Sequence, residues 1–186
     1  MPEMFIIAGP NGAGKTTAAY DLLPEVFRTV EFINADEIAR GLSPFNPEGV
    51  ALQAGRIMLE RLAHLIDKRQ SFAFETTLSG LAYLKFLREA KLADYRVTFF
   101  YVWLHSFELA INRVARRVSK GGHNIPTDVI ERRYTKGIQN FNKYAALADD
   151  WYIYNNSGTS YELVANFTDG NREVFNFEVF NKITNP

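Results

Sequence analysis

The sequence predicts a single doubly wound α/β domain, with a mainly parallel sheet and helices on both of its faces. Three observations carry that expectation. Short apolar runs alternate with stretches of helical spacing, the pattern of strands joined by crossover helices. The run Arg96 to Leu104, RVTFFYVWL, is almost wholly apolar, as a strand covered on both faces should be. A glycine-rich segment, Gly9 to Thr16, separates the first apolar run from the first helical stretch. In open α/β folds, ligands gather at such strand ends.

Taken in order, Glu3 to Ala8 (EMFIIA) reads as a buried strand and Lys15 to Leu23 as the helix after it. Thr29 to Asn34 is a second short strand, ending at Ala35-Asp36. From Pro47 to Lys68, Val50, Leu52, Ile57, Leu59, Leu62, Leu65 and Ile66 recur at helical spacing. Pro47 suits the first turn of that long helix. Ser71 to Glu75 is a third strand and Gly80 to Leu92 another helix. Ser106 to Val118 is helical until Gly121-Gly122 breaks it. Pro126 to Ala148 is a second long helix, and Trp151 to Asn155 the last parallel strand. Tyr161 to Phe167 and Glu173 to Phe177, joined at Asp169-Gly170-Asn171, read as a β-hairpin appended to the core, about residues 160–180. No linker or repeat divides residues 1–186, so one domain is expected.

Composition narrows the function classes. Lys+Arg and Asp+Glu each number 21, which argues against a polycation that coats nucleic acid and leaves only a local basic cleft open. Cysteine is absent, so disulfides and thiolate metal sites are excluded. The first residues show neither a basic leader nor a long apolar run. A cytoplasmic protein without a membrane span is the expectation.

The segment Gly9-Pro10-Asn11-Gly12-Ala13-Gly14-Lys15-Thr16, with Thr17 after it, fits G-x-x-x-x-G-K-[ST] at every fixed position and lies between strand and helix. Glycines let the backbone wrap phosphate with its N–H groups turned inward. The helix that starts near Lys15 adds its positive end to the same site. Lys15 can reach the β- and γ-phosphates, and the Thr16 hydroxyl can ligate Mg²⁺. The segment therefore predicts ATP with Mg²⁺ on a P-loop NTPase fold.

Three further features separate the classes that share this loop. No apolar strand ends in Asp, as hydrolysing ATPases usually require, and the GTPase sequence N-K-x-D is absent; only SFAFE ends in an acid, Glu75. Asp36 follows the second strand at the sheet's carboxyl edge, where a carboxylate can take a proton from an attacking hydroxyl. Asn34 or Asp36 could equally cap a turn starting at Glu37. Arg113, Arg116 and Arg117, the glycine-containing segment with His123, and Arg132 and Arg133 resemble a helical lid over about residues 113–133. Arginines of a lid close onto transferring phosphate, whereas elsewhere they are solvated surface charge.

IIAGPNGAGKTT (Ile6 to Thr17), FINADEIARGLSPFNPE (Phe32 to Glu48), FAFETTLSG (Phe72 to Gly80) and RVARRVSKGGHNIP (Arg113 to Pro126), followed by Arg132-Arg133-Tyr134, resemble the zeta-toxin-type kinases in order and over most of the chain. The resemblance implies an ATP·Mg²⁺-dependent kinase that phosphorylates a hydroxyl of a UDP-amino-sugar or similar metabolite. It puts the catalytic base on Asp36, beside Lys15, and substrate contacts on Asp36, Glu75, Thr76 and Thr77. It puts phosphate-binding arginines on Arg117 and Arg133, and it implies a protein antitoxin as a partner. After Asp36 the toxins' aromatic-arginine step is missing, so the acceptor is open. A nucleotide or polynucleotide 5′-hydroxyl kinase and a non-catalytic ATP-dependent switch are the other classes these residues allow.

Overall fold

In the computed structural model, which describes residues 1–22, 31–122 and 124–186, the sheet is organised around β1 (Glu3–Ala8). That strand is apolar on both sides of its pleat, so it needs cover above and below. Met4, Ile6 and Ala8 enter the larger core, and Phe5 and Ile7 a smaller one on the opposite face. β2 (Phe32–Ile33) and β3 (Phe72–Thr76) lie on one side of β1, and β4 (Arg96–Trp103) and β5 (Asp150–Asn155) on the other. All five are parallel, in the order β2-β3-β1-β4-β5. The chain builds one side first and then crosses β1 to build the other. The crevice beyond the carboxyl end of β1 is therefore the switch point where such sheets bind ligands.

Helices cover both faces, as predicted for a P-loop NTPase fold. α1 (Lys15–Leu22) places Ala19 in the smaller core. α2 (Ala35–Leu42) follows β2, and α3 (Ala51–Asp67) buries Met58, Leu62 and Leu65 in the larger core. α4 (Tyr83–Leu92) adds Leu84 and Leu87. α5 (Phe107–Val118) and α6 (Thr127–Ala145) share a third cluster, with Val114 and Ile130 against Val102 and Leu104. Phe141 of α6 seals the sheet, with ring centroids 5.5 Å from Phe99, 5.1 Å from Tyr101 and 6.1 Å from Trp151.

Several stretches depart from the sequence reading. The segment after Asn34, expected as a turn, is the full helix α2; Asn34 is its N-cap, and buried Ala39 anchors it. The long helix expected from Pro47 begins instead as a 3₁₀ turn, Pro47–Val50, capped by Asn46, with α3 starting at Ala51. Of the strand expected over Thr29 to Asn34, Phe32–Ile33 is strand among the described residues; residues 29 and 30, like Leu23, lie outside them.

The C-terminal hairpin is not an appendage. β6 (Glu162–Thr168) pairs antiparallel with β5, β7 (Asn171–Val174) pairs with β6, and among the described residues the sheet reaches seven strands. Asp169 and Gly170, at φ 51° and 80°, form the tight turn between them. The second strand stops at Val174, and Phe177 opens a helix, α7 (Phe177–Thr184), that buries Val179 and Ile183. Asn176 caps it, accepting from the Val179 N–H at 3.1 Å. Asn176→Ala is expected to lower unfolding free energy by about 1 kcal/mol, the usual worth of a cap, measured by urea denaturation. An unchanged midpoint would mean that packing alone holds α7.

Candidate active site

The phosphate loop turns sharply at Gly9, whose φ is 143°; a Cβ there would run into the Val102 carbonyl. The Gly9 N–H donates to the Thr76 carbonyl at 3.2 Å, tying the loop to the end of β3. Lys15 is 5% exposed, and its ammonium donates to the Pro10 carbonyl at 3.0 Å, closing the loop across itself. The same ammonium lies 3.3 Å from Glu75 Oε1.

Glu75 is the hub of the site. In the parallel register Ile7 faces Glu75 and Ala8 faces Thr76, which brings this acid level with the start of the loop. Its Oε2 accepts from the Thr16 hydroxyl at 2.6 Å and from Asn34 Nδ2 at 2.9 Å. The other side-chain atom of Asn34, Oδ1, accepts from the Asp36 N–H at 2.8 Å. One asparagine thus caps α2 and holds Glu75. Asp36 occupies the first turn of α2 rather than its cap, so its carboxylate is not spent on the helix end.

Asp36, Lys15 and Glu75 line one cleft of about 440 Å³ with Asn11, Thr76, Thr77, Ser79, Tyr83, Arg56 and Arg133. Its hydroxyls differ in availability. Thr76 Oγ1 accepts from the Leu78 N–H at 3.1 Å, which steadies the turn where Leu78 has φ 55°. Thr77 and Ser79 hydroxyls pair with each other at 3.0 Å and face the cleft. Asn11 is 4% exposed, and its Oδ1 has no hydrogen-bond partner among the described residues. Burial pushes the Tyr83 hydroxyl above its ordinary pKa; Arg133 pulls it back and Asp36 pushes it further up. Tyr83 therefore sits within electrostatic reach of both charges.

The two arginines expected on a lid separate. Arg133 joins Asp36 and Lys15, whereas Arg117 lines a second cleft of about 550 Å³ with Arg40, Arg113, Arg116 and Lys120. Arg113 and Arg117 share a helix face, as their spacing predicts. Arg113 also donates to the Gly158 carbonyl at 3.2 Å. Arg132 is exposed, Thr17 is an exposed residue in the first turn of α1, and His123 lies outside the described residues.

Sequence reasoning missed Asn34, Arg56, Ser79 and Tyr83 as site residues. Arg56 left a signal. It sits between Leu52 and Leu59 on the stripe assigned to the core, and a cation on an apolar stripe faces something other than core. Neither Arg56 nor Arg133 has a carboxylate partner among the described residues.

The family model described as Zeta toxin matches residues 1–163. The chain belongs to the zeta toxin family. The match ends inside β6, so β7 and α7 lie beyond it. A protein of Haemophilus influenzae (strain ATCC 51907 / DSM 11121 / KW20 / Rd) is 31% identical to this zeta toxin relative over 126 residues, 68% of this chain and 88% of that one. Among solved structures, the AvrRxo1-ORF1:-ORF2 complex with ATP aligns at TM-score 0.81 and 17% identity, covering 99% of this chain. This chain spans 64% of that longer one. The PezAT chromosomal toxin-antitoxin system of Streptococcus pneumoniae aligns at TM-score 0.69 and 17% identity, covering 98% of this chain and 78% of that one. At such identities the solved structures establish the shared fold.

Proposed function

We propose that this zeta toxin family member is an ATP-dependent kinase that phosphorylates a hydroxyl group of a small anionic metabolite. The observation that carries the reading is a single cleft bringing together Lys15 of the phosphate loop, the uncommitted carboxylate of Asp36, and Arg133. In this reading the acceptor hydroxyl gives its proton to Asp36 as its oxygen bonds to the γ-phosphorus, and the bond from phosphorus to ADP breaks. Arg133 stabilises the charge on the transferring group, and Arg117 closes from the neighbouring cleft. The Thr16 hydroxyl offers a hard oxygen donor beside the loop and would hold Mg²⁺, which neutralises phosphate charge when bound.

The acceptor half of the cleft supports a substrate of the UDP-amino-sugar kind. Thr77 and Ser79 offer hydroxyls, Asn11 offers a buried acceptor, and Ala51, Leu52 and Leu59 offer an apolar wall. Arg56 is free to take an anionic group on the acceptor itself. A protein antitoxin belongs to the same reading, supported by the family and by the toxin-antitoxin system among its structural relatives. Growth arrest on expression of the chain alone would test it. A cytoplasmic setting, where ATP is supplied, completes the reading; no helix among the described residues is long and apolar enough to cross a membrane.

The experiment is a mass-spectrometric screen of UDP-sugars, nucleosides and a metabolite extract with ATP and Mg²⁺. One product heavier by a phosphoryl group is expected. A phosphorylated nucleoside or oligonucleotide would move the assignment to a 5′-hydroxyl kinase, and ATP binding with no product to a switch. With the acceptor in hand, Arg56→Ala is expected to raise its KM about tenfold to a hundredfold, the worth of a charge-assisted hydrogen bond, and to change kcat much less. Equal loss in both constants would place Arg56 on the transition state instead.

A further inference from the structure

The connection from β5 to β6 lies against the outside of the phosphate loop. Asn156 Nδ2 donates to the Ala13 carbonyl at 2.8 Å, and the Tyr161 hydroxyl to the Gly14 carbonyl at 2.9 Å. Contact is close enough that a Cβ at Gly14 would stand 2.6 Å from the Tyr161 hydroxyl and 2.9 Å from Asn156 Nδ2. The Gly14 carbonyl also receives the Ala18 N–H at 3.0 Å, the bond that opens α1. Tyr161 is thus a second donor on the peptide where loop becomes helix.

The consequence follows from peptide geometry. In a trans peptide the C=O and N–H point to opposite sides of the chain. The carbonyl of Ala13 shares its peptide plane with the N–H of Gly14, and the carbonyl of Gly14 with the N–H of Lys15. Pinning both carbonyls outward turns both N–H groups inward, toward the anion cradle that this loop motif forms. We propose that Asn156 and Tyr161 are positioning residues that aim the Gly14 and Lys15 amides at the bound triphosphate, making the β5–β6 connection part of the phosphate site.

The brace is itself anchored. The Asn156 N–H donates to the Trp103 carbonyl at 3.0 Å, at the carboxyl end of β4. Ser157 Oγ accepts from the His105 N–H at 2.9 Å and donates to Asn155 Oδ1 at 2.6 Å. Asn155 Nδ2 reaches Glu162 Oε2 at 3.2 Å, and Arg113 of α5 holds the Gly158 carbonyl. The antiparallel extension gives this connection a fixed floor. Strand pairing at the far side of the sheet thereby acts on the amides of a loop more than a hundred residues earlier in sequence, Asn156 being separated from Ala13 by 143 positions.

The proposal rests on the loop being the triphosphate site, and the test separates the two. ATP·Mg²⁺ and inorganic tripolyphosphate are titrated calorimetrically into wild type, Tyr161→Phe, Asn156→Ala and the double variant, with a melting temperature for each. Tyr161→Phe removes one hydroxyl from a ring that is 41% exposed, so it tests the brace with the fold kept. Each single variant is expected to weaken both probes by the same factor, about threefold to tenfold per hydrogen bond. Tyr161→Phe is expected to do so with an unchanged melting temperature. Weaker ATP with undiminished tripolyphosphate would mean that these side chains touch the nucleoside, which overturns the proposal. Wild-type affinity for both probes in Tyr161→Phe and Asn156→Ala overturns it as well. Wild-type protein that binds neither probe would overturn the triphosphate reading, and the proposal with it.

Discussion

Replacing Lys15 with alanine is expected to abolish phosphate transfer and to weaken ATP·Mg²⁺ binding by about a hundredfold or more. Loss of a charge-assisted contact to the phosphates accounts for roughly tenfold to a hundredfold. The geometry adds a second penalty. Glu75 would keep Thr16 and Asn34 as donors but lose the ammonium 3.3 Å away, leaving an uncompensated carboxylate beside a polyanion. Both partners are nearly buried, with side chains 5% and 11% exposed. Removing one partner of such a pair costs about 3 kcal/mol of stability, because the remaining charge stays desolvated. The melting temperature should therefore fall, and titrations belong well below it. The second penalty has its own signature: Glu75→Gln added to Lys15→Ala should recover part of the ATP affinity and part of the lost stability. Lys15→Ala binding ATP as tightly as wild type would remove the loop from the nucleotide site. A double variant no better than Lys15→Ala would show that Glu75 does not repel the phosphates.

How far these relations could be read from the sequence depended on their range. The phosphate loop, its strand and its helix are contiguous, so spacing alone located them. The apolar run of β4 announced its own burial. α2 was harder, because its eight residues include Gly41 and lack a long periodic stripe; what holds it is the Asn34 cap and the burial of Ala39. The cap was visible as an alternative between Asn34 and Asp36, and it is Asn34 that takes the position. α7 is as short, yet Asn176 before Val179, Phe180 and Ile183 carried a cap and helical spacing. The pairing of β6 with β5 was illegible for a different reason: alternation shows that a segment is strand and says nothing of its partner. Glu75 was legible as an acid at a strand end, but its contact with Thr16 spans 59 positions and exists only through the register of β1 with β3. The same limit divided the arginines. Helical spacing put Arg113 and Arg117 on one face correctly, while the packing of α5 and α6 decided that Arg133, not Arg117, shares the cleft with Asp36.

Asp36→Asn is expected to fold, to bind ATP, and to transfer phosphate at least about a hundredfold more slowly, the usual scale for losing a general base. The α2 cap does not depend on the Asp36 carboxylate, because Asn34 Oδ1 supplies it through the Asp36 N–H. What the substitution removes from the helix is one first-turn negative charge, worth at most about 1 kcal/mol. Asparagine keeps the shape and lacks both the charge and the capacity to accept a proton in transfer. Affinity for ATP should hold or rise slightly, since a carboxylate leaves a cleft that would receive the phosphates. Three readouts separate the roles of this side chain: melting temperature, ATP affinity, and single-turnover rate across a Mg²⁺ series. A helix-stabilising role predicts lower melting with an unchanged rate. A metal-binding role predicts a rate recovered by raised Mg²⁺. A base predicts a slow rate at every Mg²⁺ concentration with binding intact, and that is the expected result. A stable, ATP-binding Asp36→Asn protein that turns over like wild type would falsify the assignment of Asp36 as the base and favour an ATP-dependent switch.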